Sequence, residues 1–169
     1  MDMEVLPDGR LLFAGMAGTD FREVRLLRFN RDGSPDVSFG TGGQISLTDP
    51  PRWVQSPRIA LTPSGAAYFV AQLSDSTNSS LLVARVTADG VLDTSFGTGG
   101  RTVVDAPSSY LRPQIVRSDA NGRLVMGGTL GPFDTGTPLV ARLTNTGQLD
   151  SSFGNNGIVD LSEGLVWAI

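Results

Sequence analysis

Short runs of hydrophobic residues, rich in leucine, valine and alanine, alternate along the chain with turn segments rich in glycine, asparagine and aspartate. Dipeptides such as Asn121-Gly122 between apolar runs are strong hairpin signals, because glycine accepts the positive φ of tight turns. No segment has a sustained helical period, so the pattern predicts an all-β chain. In the middle of the chain it predicts strands at about 58–61, 67–72, 81–87 and 102–105.

The same pattern of residues occurs three times. The pentapeptide Asp-x-Ser-Phe-Gly begins at Asp36, Asp93 and Asp150, so each copy starts 57 residues after the previous one. Other residues keep this step, namely Arg28, Arg85 and Arg142, then Gly33, Gly90 and Gly147, and the aromatic residues Trp53, Tyr110 and Trp167. Such periodicity is typical of a repeat architecture. We expect one repeat domain over 1–169, with repeats at about 3–56, 57–112 and 113–169.

Four short antiparallel strands in each copy are typical of a propeller blade. The expected fold class is all-β, with three consecutive four-stranded antiparallel blades of a β-propeller-like repeat array. Closed propellers have roughly 4–8 blades, so we expect the ring to be incomplete in this chain. Two arrangements would complete it. One is the remainder of a longer repeat array, and the other is a homo-oligomer, for example two chains making about six blades.

Composition excludes several classes of function. The net charge is -4, so the chain has no broad basic field for nucleic acid or an anionic membrane surface. The absence of cysteine and histidine excludes disulfides, thiol catalysis, Ser-His-Asp catalysis and Cys- or His-ligated metals. We expect no cofactor and no metal site. The longest apolar stretch, 11–18, is too short for a membrane span, and the first residues lack the pattern of a signal peptide.

Three segments of the first copy carry a family resemblance. They read Pro-Asp-Gly-Arg-Leu-Leu-Phe-Ala-Gly at 7–15, Leu-Arg-Phe-Asn-Arg-Asp-Gly at 27–33 and Asp-Val-Ser-Phe-Gly-Thr-Gly-Gly at 36–43. This pattern resembles the bacterial delta-60 repeat over essentially the whole chain. The third copy departs from it at 146–147 and 155–157 but keeps a glycine in both turns. The resemblance implies a β-propeller-like array in an exported or cell-surface protein, and it implies no defined reaction.

Residues that recur in every copy are expected to build the blade. The aspartate of each pentapeptide, such as Asp93, is expected to accept hydrogen bonds from the turn that follows it. The phenylalanine, such as Phe96, is expected to pack that turn against the sheet. Arg85 lies among apolar neighbours, and a buried charge needs a partner. Pairing of Arg85 with Asp93 is therefore favoured over an anion-binding site.

The connections between the second and third strands of each copy differ freely, at 17–23, 73–80 and 130–137. In an up-and-down blade they lie at the same end as the connections between blades. Binding residues concentrate on variable loops over a rigid scaffold, so this end is the candidate binding face. Its candidate ligand- or partner-binding residues are Asp20, Phe21, Arg22, Trp53, Asp75, Tyr110, Arg112, Phe133, Asp134 and Trp167. The recurring aromatic residues among them have a second interpretation, as packing wedges between blades.

Three functions follow as hypotheses. The leading one is a non-catalytic module that binds a protein or carbohydrate partner or serves as a structural scaffold, because no catalytic motif is present. The second is a propeller-type lyase or hydrolase whose site is built from several blades. The third is a purely structural repeat that self-assembles through exposed edge strands.

Overall fold

A computed structural model describes residues 1–18, 21–48, 52–75, 79–105, 111–131 and 136–161. These residues form three four-stranded antiparallel sheets, one for each sequence copy, which we call the first, second and third blade. The first contains β1 (Asp2–Val5), β2 (Leu11–Ala17), β3 (Glu23–Phe29) and β4 (Gln44–Thr48). The second contains β5 (Trp53–Leu61), β6 (Ala67–Ser74), β7 (Ser79–Val86) and β8 (Arg101–Asp105). The third contains β9 (Leu111–Ser118), β10 (Leu124–Leu130), β11 (Thr137–Leu143) and β12 (Ile158–Asp160).

The strands of each blade are hydrogen-bonded in chain order, which confirms the expected fold class. The first strand of each blade contacts the first strand of the next, so that β5 touches both β1 and β9. The carboxylate of Asp2 accepts a hydrogen bond from the backbone N–H of Ile59 at 3.0 Å. Arg58 Nε donates to the carbonyl of Gln114 at 2.9 Å. The first strands therefore stand side by side, as the inner strands of a propeller do.

Three strands of the second blade, β5, β6 and β7, extend beyond the ends that the sequence pattern predicts. Its first strand begins at Trp53 rather than near Arg58. The loop expected at 73–80 is shorter, because β6 extends to Ser74 and β7 begins at Ser79. Ser74 pairs with Ser79, and both are buried. Small hydroxyl side chains suit a buried strand end as well as a turn, which is why polar composition predicted a loop there.

A hydrophobic cluster fills each junction between blades. Leu26 and Leu47 of the first blade pack with Phe69 of the second. Tyr68 of the second blade packs with Leu124 of the third. Successive residues of a strand point to opposite faces, so Phe69 faces the first blade and Tyr68 the third. Every residue of β6 is buried, and the second blade is therefore covered on both faces.

Candidate functional site

Each blade contains a cluster of arginine, aspartate and serine side chains at the end where the recurring turns lie. In the second blade, Asp93 Oδ1 accepts hydrogen bonds from the backbone N–H and the hydroxyl of Ser95 at 3.1 and 2.6 Å. Its Oδ2 accepts from Arg85 Nε at 2.8 Å. The predicted turn hydrogen bonds and the predicted ion pair are thereby confirmed. We call this the Arg–Asp–Ser cluster, and its equivalents are Arg28, Asp36 and Ser38, and Arg142, Asp150 and Ser152.

The same cluster joins neighbouring blades. At the first junction, Arg28 Nη1 donates to the carbonyl of Ala88 in the second blade. The backbone N–H of Gly40 donates to the carbonyl of Asp89 at 2.8 Å. At the second junction the equivalent contacts join Arg85 to Asn145 and Gly97 to Thr146. The recurring residues therefore hold adjacent blades together as well as shaping each blade.

Serine and arginine hydrogen bonds keep the clustered carboxylates ionised. The hydroxyl of Ser38 lowers the pKa of Asp36 well below its usual range, and Arg10 lowers it further. The hydroxyl of Ser95 lowers the pKa of Asp93 in the same way. A carboxylate with a lowered pKa is a poor general acid or base at neutral pH. The Arg–Asp–Ser clusters therefore resemble structural elements of the blade more than a catalytic site.

The opposite end of the blades carries an exposed apolar patch at the junction of the first and second blades. The carbonyl of Phe21 accepts a hydrogen bond from the backbone N–H of Val54 at 2.8 Å, which places Phe21 beside Trp53. Phe21 is 55% exposed, Trp53 40% and Met16 44%. The shallow depression between them is lined by Met16, Phe21, Trp53, Gln55 and Ser56, and we call this set the Phe21–Trp53 patch.

The backbone of the Phe21–Trp53 patch is strained at two points. Phe21 has a φ of 56° and Ser56 a φ of 50°, and among the described residues Asn156 is the one other non-glycine residue with positive φ. This region costs about 1–2 kcal/mol for an L-residue, and such strain concentrates at functional sites. Ser56 lies in a bulge of β5. The third blade has Pro113 at the equivalent position, and its ring holds φ negative, so the strain at Ser56 does not recur there.

The structure brings together two of the predicted binding residues, Phe21 and Trp53. Trp53 is the first residue of a strand and is 40% exposed, and its alternative role as a packing wedge between blades stays a prediction. Arg22 follows Phe21 at this end, and Asp75 follows the last residue of β6. Arg112 lies in β9 at the second junction. Asp20, Tyr110, Phe133, Asp134 and Trp167 lie outside the described residues.

Sequence reasoning missed three residues of the Phe21–Trp53 patch, namely Met16, Gln55 and Ser56. Met16 belongs to the apolar run of β2 and therefore looked like a core residue. A residue that precedes proline is expected to be extended, and Ser56 precedes Pro57. The sequence thus contained no signal for the positive φ of Ser56.

A second concave region lies between the second and third blades. Met126 stands where the second blade has Phe69, and Gly128 stands where it has Ala71. Smaller side chains at packed positions leave space, and we attribute the cavity at this junction to them. It has a volume of about 270 Å³ and is lined by Leu81, Val104, Leu111, Arg112, Met126 and Leu139, among others. Its walls come mainly from the hydrophobic cluster of that junction.

A further property of the described residues is the arrangement of their titratable side chains. These residues contain no group of three or more His, Cys, Asp or Glu side chains that could hold a metal ion. They also form no helix long and apolar enough to cross a membrane. The carboxylates with lowered pKa values accept hydrogen bonds from serine or arginine, and they are Asp8, Glu23, Asp32, Asp36, Asp93, Asp119 and Asp150.

Three four-stranded blades joined by recurring turn contacts define a β-propeller repeat domain. The chain belongs to a family described as a beta-propeller domain of unknown function, DUF5122. The family model matches residues 6–39, 66–96 and 119–153, which is more than half of the chain. Each matched segment ends within the Asp-x-Ser-Phe-Gly pentapeptide of one copy. No curated protein and no solved structure matches the chain.

Proposed function

We propose that this β-propeller domain is a non-catalytic binding module and that the Phe21–Trp53 patch binds a hydrophobic segment of a partner protein. One observation carries the proposal: two exposed aromatic side chains and two strained backbone positions coincide at a single junction between blades. The turns at the opposite end keep their glycines and their Asp-x-Ser-Phe-Gly residues from copy to copy, whereas the loop that contains Phe21 differs in each copy. Backbone strain and exposed apolar surface both raise the free energy of the unbound chain. A bound partner would cover the apolar surface and so offset that part of the cost.

The chemistry of the Phe21–Trp53 patch suits a protein partner. Aromatic residues and methionine are enriched at the centres of protein interfaces, and Met16 has a flexible thioether that adapts to different shapes. Gln55 and Ser56 line the same depression. They can supply an amide and a hydroxyl to the polar groups of a bound chain.

Two further observations support a non-catalytic role. The chain contains no histidine or cysteine, and its perturbed carboxylates are held ionised within ion pairs and hydrogen bonds. The resemblance to the delta-60 repeat supports a setting in an exported or surface protein, where the partner would be another protein at the cell surface.

The test is selection of binding peptides from a random library on the immobilised chain, followed by calorimetric measurement of Kd. Trp53→Ala and Phe21→Ala are compared with wild type. Val91→Ala is the control, because Val91 is an apolar residue that is 60% exposed in a turn at the opposite end of the blade. Truncation of a hot-spot aromatic residue at the centre of an interface costs about 2 kcal/mol or more, so we expect Kd to rise at least about tenfold for both patch variants.

We expect Val91→Ala to bind the selected peptides as tightly as wild type. Absence of any binding peptide, or peptides whose Kd is unchanged in both patch variants, would contradict the proposal. Binding of glycans in a manner that depends on Trp53 would retain the Phe21–Trp53 patch as a site but contradict the protein partner.

A further inference from the structure

The outer face of the first blade has the composition of an interface. Met3, Phe13 and Leu27 are cross-strand partners and therefore share one face of that sheet. Met3 is 54% exposed, and Phe13 and Leu27 are only partly buried. The residues of the second blade at the same register positions are buried against the first blade, and they are Ile59, Phe69 and Ala84.

The turn beside this face has the acceptors that the inner junctions use. At those junctions the turn glycines Gly90 and Gly147 lie against the rings of Phe39 and Phe96 of the preceding blade. Gly33 is the equivalent glycine of the first blade, and no atom lies within 4 Å of the position that a Cβ would take there. The carbonyls of Ala88 and Asp89 accept hydrogen bonds from the first blade, as described above. Among the described residues, the equivalent carbonyls of Arg31 and Asp32 accept none.

The third blade has the matching donors. Arg142 donates to Asp150 and Ser152 within its own blade. No described residue accepts a hydrogen bond from its Nη1 or from the backbone N–H of Gly154, which are the groups that reach the next blade at the other junctions. Phe153 is only half-buried. The equivalent phenylalanines are enclosed by the following blade, since Phe39 is 2% and Phe96 0% exposed.

We propose that these two faces bind each other between copies, so that the third blade of one chain packs on the first blade of a second copy. Arg142 Nη1 and the N–H of Gly154 donate to the carbonyls of Arg31 and Asp32 of the second copy, and the Phe153 ring lies against its Gly33. Such a head-to-tail interface closes into a ring when the rotation between units is right. Two copies of the three described blades make six, which lies within the roughly 4–8 blades of closed propellers, so the expected product is a closed dimer of this chain.

The two inner junctions show that these two kinds of face are complementary, which favours a second copy of the chain as the occupant. Both inner junctions join an Arg–Asp–Ser cluster to a following turn with the same donors and acceptors. Among the described residues, no turn follows the cluster of the third blade and no cluster precedes the turn of the first blade. One molecule therefore carries both the donor cluster and the acceptor turn of this contact. The geometry of the contact is already present at its two inner junctions.

The test is the solution mass of the 17.8 kDa chain, measured by light scattering after gel filtration over a range of concentrations. The variant Gly33→Ala is matched by the control Gly42→Ala. Both glycines have positive φ, of +84° and +62°, and both have open space where a Cβ would lie. The two substitutions share the backbone cost, but only Gly33 lies at the proposed interface. Met3→Glu is a second variant, since it places a carboxylate on the apolar face at a position that a single chain leaves exposed.

We expect wild type and Gly42→Ala to have twice the mass of one 17.8 kDa chain. Gly33→Ala and Met3→Glu are expected to elute as monomers, or to dissociate with a Kd at least about tenfold higher, with unchanged circular dichroism. If the wild-type chain is a monomer at every concentration, the proposal is overturned, because the two faces do not then bind each other between copies. A dimer that both variants leave unchanged would overturn it as well, because the contact would then lie elsewhere.

Discussion

The side chain of Arg85 donates hydrogen bonds to three different groups. It donates to Asp93 at 2.8 Å, to the hydroxyl of Ser95 at 2.8 Å and to the carbonyl of Asn145 at 2.6 Å. In the other blades a second arginine also reaches the aspartate, Arg10 at 2.6 Å from Asp36 and Arg123 at 3.3 Å from Asp150. The second blade has Ala66 at that position. Within the described residues, Asp93 therefore relies on one arginine where its counterparts have two.

This difference predicts unequal effects of one substitution. Arg85→Met should lower the free energy of unfolding by about 2–3 kcal/mol, because hydrogen bonds to a charged group are lost and Asp93 keeps no cationic partner. The matched variant Arg142→Met should cost less, since Asp150 keeps Arg123. Urea unfolding followed by circular dichroism measures both values. Equal costs would show that the second arginine does not support the cluster.

The clustered carboxylates also predict how stability depends on pH. Their pKa values are lowered in the folded chain, so the stability they contribute is present above the unfolded pKa of about 3.9 and is lost as the pH falls below it. We expect the urea midpoint to stay level from about pH 7 to pH 5 and to fall below about pH 4. Asp93→Asn should reduce the decrease of the urea midpoint below about pH 4, because one of the clustered carboxylates is then absent. A midpoint that rises on acidification would contradict the assignment.

At the scale of single residues, part of this chemistry was predictable from the sequence. The recurrence of Asp93 with Ser95 two residues later predicted the turn hydrogen bonds, and the apolar surroundings of Arg85 predicted its ion pair. The contact from Arg85 to the carbonyl of Asn145 was not predictable, because a backbone carbonyl leaves no mark on residue type. Only the placement of the next blade shows which carbonyl faces the guanidinium.

At the scale of strands, the bulge in β5 is a feature of the repeated blade, whereas the positive φ within that bulge is not. Both β5 and β9 shift register against their neighbours at corresponding points, so the bulge belongs to the blade. The positive φ of Ser56 accompanies the bulge in β5, whereas Pro113 cannot adopt it in β9. The strain therefore belongs to the Phe21–Trp53 patch rather than to the repeat.

Substitution of Ser56 by glycine should remove that strain. We expect Ser56→Gly to leave stability unchanged or raise it by up to about 1 kcal/mol, since relief of the left-handed conformation is partly offset by the entropy of glycine. Ser118→Gly, in β9 and without positive φ, should instead destabilise by roughly 0.5–1 kcal/mol. Thermal unfolding of the two variants measures the contrast. Equal destabilisation would mean that Ser56 is not strained.

The strands themselves were predicted well by period and turn residues, and their ends less well. The hairpin turns were visible because glycine at positive φ is required there, as at Gly65 and Gly122. The ends of β6 and β7 were missed because Ser74 and Ser79 are polar residues in buried, paired positions. Polarity is a poor guide where hydroxyl groups find partners within the fold.

At the scale of the whole molecule, the three blades differ in how fully they are covered. The second blade has a neighbour on each side, and Tyr68, Phe69 and Phe96 are fully buried there. In the described part of the chain, the first and third blades each have a neighbouring blade on one side. The number of copies and the fold class followed from the sequence period, whereas the matching of the outer faces of these two blades required the geometry of the inner junctions.

One contact, repeated from blade to blade, holds this molecule together. Amide hydrogen exchange at Gly40, Gly97 and Gly154 tests it most directly, because these are equivalent N–H groups of the three pentapeptides. Gly40 and Gly97 donate across a junction at 2.8 and 2.9 Å and should exchange slowly. Gly154 should exchange fast in the Gly33→Ala monomer and slowly in the wild-type dimer. Fast exchange at Gly40 and Gly97 would contradict the account.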